Sequence, residues 1–147
     1  MKKLLFVCTG NTCRSPMARA IAANMFVGSG CEFMSAGVRA ADGDLASLGA
    51  RDAVSQIGLD LSGHRAQALT HELANESTLI LTMTKAHRDA VCERFPDIAD
   101  KVHLISEYAG KSGDVLDPFG QNTQVYASCR DLLEVYINEI IAALKST

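Results

Sequence analysis

No stretch of this chain approaches the roughly twenty consecutive apolar residues that a membrane span requires, so no transmembrane segment is expected. Lys and Arg form no run, and 14 basic against 17 acidic residues leave a net charge of -3. A broad nucleic-acid footprint needs a basic face and is excluded, and any anion site must be local. The apolar part of the opening Met1-Lys2-Lys3-Leu4-Leu5-Phe6-Val7 ends after four residues, too few for a signal peptide. The five cysteines are odd in number and lack small-scaffold spacing, which argues against a disulfide framework and for a cytoplasmic protein. His64, His71, His87 and His103 show no metal-ligand spacing, so solvated or structural roles are expected for them, with no metal and no cofactor. Internal repeats, low-complexity tracts and linkers are also missing.

What remains is one ordinary domain, residues 1–147, with 48% hydrophobic and 21% charged residues. Lys3 to Val7 predicts a buried strand, and Ser15-Pro16 is suited to opening a helix that runs to about Phe26 with Met17, Ile21 and Met25 on one face. Cys31 to Gly37 reads as a second strand, Ala50 to Ile57 as a helix and Asp60 to Ala68 as irregular chain. Thr70 is placed to cap a brief helix through Ala74, ahead of a strand over Thr78 to Met83. Thr84 is placed to cap Lys85 to Arg94, and Lys101 to Ile105 is a fourth strand. A long loop from about Ser106 to Asn122 precedes a helix over Val125 to Lys145, with Leu132, Val135, Ile140 and Leu144 available for packing. Strands alternating with helices predict a small doubly wound α/β fold, a four-stranded parallel sheet with helices on both faces.

The chemistry gathers in Val7-Cys8-Thr9-Gly10-Asn11-Thr12-Cys13-Arg14-Ser15-Pro16, between the first strand and the first helix. Ligands of doubly wound sheets bind there, beyond the carboxyl ends of the strands and at a helix N-terminus. Backbone N–H groups of a tight loop converge on one small anion. A free thiol is mostly protonated at neutral pH, and converging dipoles together with Arg14 are expected to ionise Cys8 into a nucleophile. Arg14 offers a planar fork for two phosphoryl oxygens. Asn11 and Ser15 are expected to hold the loop, with the Ser15 hydroxyl able to donate to the thiolate.

Turnover also needs an acid that protonates the leaving group and later activates water. Asp117 in the long loop, backed by Pro118, is the first candidate and Asp114 the second. Cys31, Cys92 and Cys129 are expected to be small buried hydrophobes. Cys13 either packs beneath the loop or forms a reversible disulfide that protects Cys8 from over-oxidation.

These residues resemble the low-molecular-weight protein tyrosine phosphatases over essentially the whole chain. The resemblance rests on the Val7–Pro16 stretch, Ser35-Ala36-Gly37, His64-Arg65-Ala66, Leu81-Thr82-Met83-Thr84 with His87, and Asp117-Pro118. It implies metal-free hydrolysis through a cysteinyl-phosphate, with Cys8 as nucleophile, Arg14 as phosphate clamp and Asp117 as acid then base. Thr9, Gly10, Asn11, Thr12, Cys13, Ser15 and Phe119 would line the phosphate and substrate site, and phosphorylated proteins would be the substrates of a monomer.

Two departures resemble the protein arginine phosphatase branch. Thr12 stands where a bulky aliphatic is usual, and Phe119-Gly120 where the turn usually continues with aromatics. A phosphotyrosine ring gains from an apolar wall, whereas a phosphoguanidinium is polar and better matched by a hydroxyl and a carboxylate. Phosphoarginine is therefore the expected substrate, with phosphotyrosine the alternative. An arsenate reductase would need further paired cysteines in a mobile segment, and a non-catalytic phosphate-binding module would need no acid.

Overall fold

In a computed structural model that describes residues 1–145, the central strand β1 (Lys2–Cys8) carries Leu4, Leu5, Phe6 and Val7 fully buried. It lies between β2 (Cys31–Gly37) and β3 (Leu79–Thr82), and β4 (Val102–Leu104) pairs outside β3. All four strands are parallel, in the order β2-β1-β3-β4. The alternation of β1 explains why it is apolar throughout. Leu4, Phe6 and Cys8 enter one core with α1 (Arg14–Met25), α2 (Leu48–Ser55) and α6 (Thr123–Lys145). Leu5 and Val7 enter the other core, with residues of α3 (His71–Glu76), α4 (Lys85–Arg94) and the short 3-10 segment Pro96–Lys101. Each such side chain contributes about 1.5–3 kcal/mol on burial. The expected doubly wound sheet is therefore present, with helices on both faces.

The order of the strands reverses direction at β1. After β2 the chain crosses back to lay β3 on the far side of β1, which opens a crevice at the carboxyl ends of those strands. The loop following Cys8 occupies that crevice, and Cys8 itself pairs with Gly37 of β2.

Several expectations need correction. Met25 is exposed, because α1 meets the core through Met17, Ala18, Ile21 and Ala22. Leu132 and Val135 of α6 are also exposed; the buried stripe is Tyr126, Cys129, Leu133, Tyr136, Ile137, Ile140 and Ile141, and Leu144 packs at its edge. Cys31 and Cys92 are only half-buried, leaving Cys129 as the core thiol expected; burial pushes it up to about 12. The loop after β4 begins with one helical turn, α5 (Ile105–Tyr108), and is pinned at Ser106 Oγ to Gly113 O (2.6 Å) and Val115 N to Met83 O (2.9 Å). Thr70 and Thr84 cap α3 and α4 as expected, their side chains accepting from Leu73 N and His87 N. Among the described residues no helix is long and apolar enough to cross a membrane.

Candidate active site

The loop from Cys8 to Arg14 is held by its backbone at three points. Val38 N–H donates to Cys8 O, Arg39 N–H to Thr9 O and Ser47 N–H to Thr12 O, each at 2.9 Å. Gly37 has to be glycine, because a Cβ there would overlap the Thr9 carbonyl oxygen and the Asn11 nitrogen. The chain turns at Asn11, whose φ of 56° is the one positive value outside glycine among the described residues. Asparagine tolerates that region better than most side chains, and three bonds keep it there. Asn11 Nδ2 donates to Ser15 Oγ (2.8 Å), its Oδ1 accepts from Gln67 N (2.9 Å), and its carbonyl oxygen lies 2.7 Å from His64 Nε2.

Helix α1 begins one residue earlier than expected, at Arg14, and Ser15 is not its cap. Cys13 holds the N-cap position and makes no side-chain capping bond, so no side chain blocks the first N–H groups of the helix from an anion. The Ser15 hydroxyl faces Cys8 instead, at 2.8 Å from its sulfur. Burial pushes the Cys8 thiol up; the Ser15 hydroxyl and N–H, the Arg14 charge and the Asn11 N–H oppose it, and the balance stays on the raised side. The groups expected to favour the thiolate are therefore in place, and burial acts against them. Dehydration of the loop outweighs the dipoles that converge on it.

Arg14 is the loop's buried cation. Its Nη1 donates to Val115 O (2.9 Å), Nη2 donates to Thr9 Oγ1 (3.4 Å), and Nη2 lies 3.8 Å from Asp117 Oδ2. Nε is buried and has no protein partner, a cost that a phosphoryl oxygen would remove. The Arg14 side chain is 5% exposed and that of Asp117 53%, so the pair spans the site from floor to mouth. The other Asp117 oxygen accepts from Phe119 N (3.1 Å) and shapes the turn. Asp114 goes elsewhere: its Oδ1 accepts from Lys85 N (2.9 Å) at the start of α4.

Cys8, Thr9, Gly10, Thr12, Cys13, Arg14, Asp117 and Phe119 together line a cavity of about 210 Å³. Asn11 and Ser15 lie behind it, fully buried. A larger depression of about 450 Å³, between Met1, Cys31 and Lys145, lies at the opposite end of the strands and brings no acid to a nucleophile. Cys13 is buried, with its sulfur 3.1 Å from Ser47 Oγ and 3.5 Å from Tyr126 Oη. All five cysteines are unpaired.

Sequence reasoning expected solvated or structural roles for His64 and His87 without their partners, and it did not single out Gln67. His64 and Gln67 come from the chain that reads as irregular, and His87 places Nε2 2.8 Å from Thr9 Oγ1. The resemblance includes His64 and His87, but nothing in the spacing names their partners, since each acts across more than fifty residues of chain.

Comparison with known proteins agrees with this geometry. Residues 3–147 match the family described as low molecular weight phosphotyrosine protein phosphatase. The chain belongs to that family. A protein-arginine-phosphatase of Geobacillus stearothermophilus is 41% identical over 145 residues, 98% of this chain and 97% of that one. The solved structure of the YwlE arginine phosphatase from Geobacillus stearothermophilus superposes with a TM-score of 0.95 at 41% identity, covering 99% of this chain and 94% of that one. A YwlE mutant with a phosphorylated active-site serine in place of cysteine superposes at 0.93 with 38% identity, covering 97% and 95%. The family's members are phosphatases, and the cavity around Cys8 and Arg14 is where its phosphate chemistry is sought in this chain.

Proposed function

We propose that this protein hydrolyses phosphoarginine in proteins through a cysteinyl-phosphate. The observation that carries the reading is the shared cavity of Cys8, Arg14, Thr12 and Asp117. In the first step Cys8 sulfur, as thiolate, forms a bond to phosphorus while the phosphorus–nitrogen bond breaks. Asp117 gives its proton to the departing guanidinium nitrogen, and Arg14 gathers the equatorial oxygens. The raised thiol can surrender its proton as the substrate dianion binds, since thiol with dianion and thiolate with monoanion hold the same number of protons. In the second step water attacks phosphorus, Asp117 takes its proton, and the thiolate leaves. The relative with a phosphorylated active-site serine supports a covalent route.

Thr12 is half-buried beside the cavity and presents a hydroxyl where an aliphatic wall would favour an aromatic ring. The family name itself supports phosphotyrosine as the second reading. Rates on phosphoarginine and phosphotyrosine peptides, for wild type and Thr12→Ile, separate the two. Phosphoarginine should be preferred by wild type, with the preference shifted toward phosphotyrosine by Thr12→Ile; a wild type strongly favouring phosphotyrosine rejects the reading. Cys8→Ser should abolish turnover.

Cys13 completes the proposal as a redox partner. A peroxide oxidises the Cys8 thiolate to the sulfenic acid, which condenses with the Cys13 thiol to a disulfide and water. A reducing cytoplasm would restore both thiols. The enzyme is read as a monomer acting there on phosphorylated proteins, and light scattering on the purified chain tests its size.

A further inference from the structure

The Thr9 hydroxyl has two partners before any ligand is considered. Its oxygen lies 2.8 Å from His87 Nε2 and 3.4 Å from Arg14 Nη2, and the residue lines the cavity beside Cys8. Arg14 can only donate. Where the single proton of the hydroxyl points therefore depends on which nitrogen of His87 carries hydrogen.

His87 sits in the first turn of α4, its own N–H donating to the capping Thr84 Oγ1 at 3.1 Å. Its ring is buried, and Nδ1 is buried without a partner. Burial, and then the Arg14 charge, lower its titration to about 4, against weaker opposing pulls from Asp114 and Asp117. At neutral pH the ring holds one N–H. With hydrogen on Nδ1, a buried donor would be stranded; with hydrogen on Nε2, only a lone pair goes unused. The second arrangement is the cheaper.

We propose that His87 is a positioning residue whose Nε2–H donates to Thr9 Oγ1 and thereby turns the Thr9 hydroxyl proton into the cavity, toward a phosphoryl oxygen. Both lone pairs of Thr9 Oγ1 are then occupied, by His87 and Arg14, and its O–H is left to the ligand. Thr9 becomes a donor of fixed direction beside the loop N–H groups and the Arg14 fork. The role assigned to the phosphoryl group rests on the phosphatase reading above, whereas the state of the ring does not.

The first test needs no substrate and no variant. Long-range proton–nitrogen correlation spectra of the full-length enzyme, labelled with ¹⁵N-histidine, assign the His87 tautomer near pH 7. The Nε2–H form is expected, and the Nδ1–H form overturns the proposal. The second is a double-mutant cycle read by orthovanadate inhibition and by kcat/KM. His87→Phe keeps an apolar ring without the donor, and Thr9→Val keeps the shape without the hydroxyl. Each should weaken vanadate inhibition and kcat/KM by roughly 10- to 100-fold, the loss of one hydrogen bond to a charged group. His87→Phe should cost almost nothing further in the Thr9→Val background. Full additivity of the two losses overturns the proposal. His87→Gln, which retains a side-chain donor, should recover part of the loss. An Nε2–H ring in an enzyme that ignores phosphoarginine but cleaves phosphotyrosine rejects the substrate reading alone.

Discussion

Replacing Ser15 with alanine isolates the group that most directly opposes the dehydration of Cys8. Ser15 Oγ accepts from Asn11 Nδ2 at 2.8 Å, so its one proton is free to point at Cys8 sulfur, 2.8 Å away, or at Ala36 O, 3.4 Å away. The shorter contact wins once the sulfur is charged. A hydroxyl donating to an anion stabilises the anion, and removing it must raise the thiol further. A hydrogen bond to a charged group is worth about 1.5–3 kcal/mol, and at about 1.36 kcal/mol per unit the expected rise is roughly 1–2 pH units. The assay is alkylation of the Cys8 peptide by neutral iodoacetamide, followed by mass spectrometry across pH, so that Cys31 and Cys92 do not contribute. The midpoint of the rate profile should move upward by that amount. The variant also strands Asn11 Nδ2 in a buried setting, which costs about 1–3 kcal/mol of stability, and thermal unfolding measures it separately. An unchanged or lowered midpoint in a folded variant would refute the account of how this loop tunes its thiol.

Other outcomes follow from the same packing. Gly37→Ala should force the Thr9–Asn11 backbone outward and cut kcat/KM at least tenfold while lowering the melting temperature; full activity would show that the loop tolerates displacement. His87 titrates near 4 when folded against 6.5 unfolded, so its contribution to stability is complete above pH 6.5 and is lost as pH falls toward 4. The difference amounts to about 2–3 kcal/mol between pH 7.5 and 4.5, read by urea unfolding; His87→Gln should lack that part of the slope, and an identical slope would contradict the burial argument. Measured against its own activity before oxidation, Cys13→Ser should recover a smaller fraction than wild type when thiol is added after peroxide treatment. Equal recovery would remove Cys13 from the redox scheme.

The catalytic candidates were legible in the sequence because they are clustered or carry their own signals. Cys8, Asn11, Arg14 and Ser15 lie within one strand-to-helix connection, and the Asp117-Pro118 turn stands in a loop too long to be idle. The ranking of Asp117 above Asp114 came from the loop and Pro118, but the physical separation of the two carboxylates did not. That separation depends on where one loop is pinned, with Val115 held by Met83 and Arg14 and the Asp114 carboxylate taken by Lys85 N. The charges that lower the Cys8 thiol can be read in a motif, while the burial that raises it depends on everything packed around it.

By itself, then, the sequence determined the parallel α/β architecture, the place of the anion loop after β1, and the chemistry of thiol, guanidinium and carboxylate. Those are local properties: apolar runs of strand length, a helix opening directly after a tight loop, and side chains whose reactivity is intrinsic. Only the tertiary structure decided which distant groups hold that loop. His64, Gln67 and His87 reach it from separate segments because the reversal of strand order at β1 brings those segments to one crevice. A contact between residues far apart in the chain leaves no periodicity to read, so their supporting roles emerge only when the sheet is assembled.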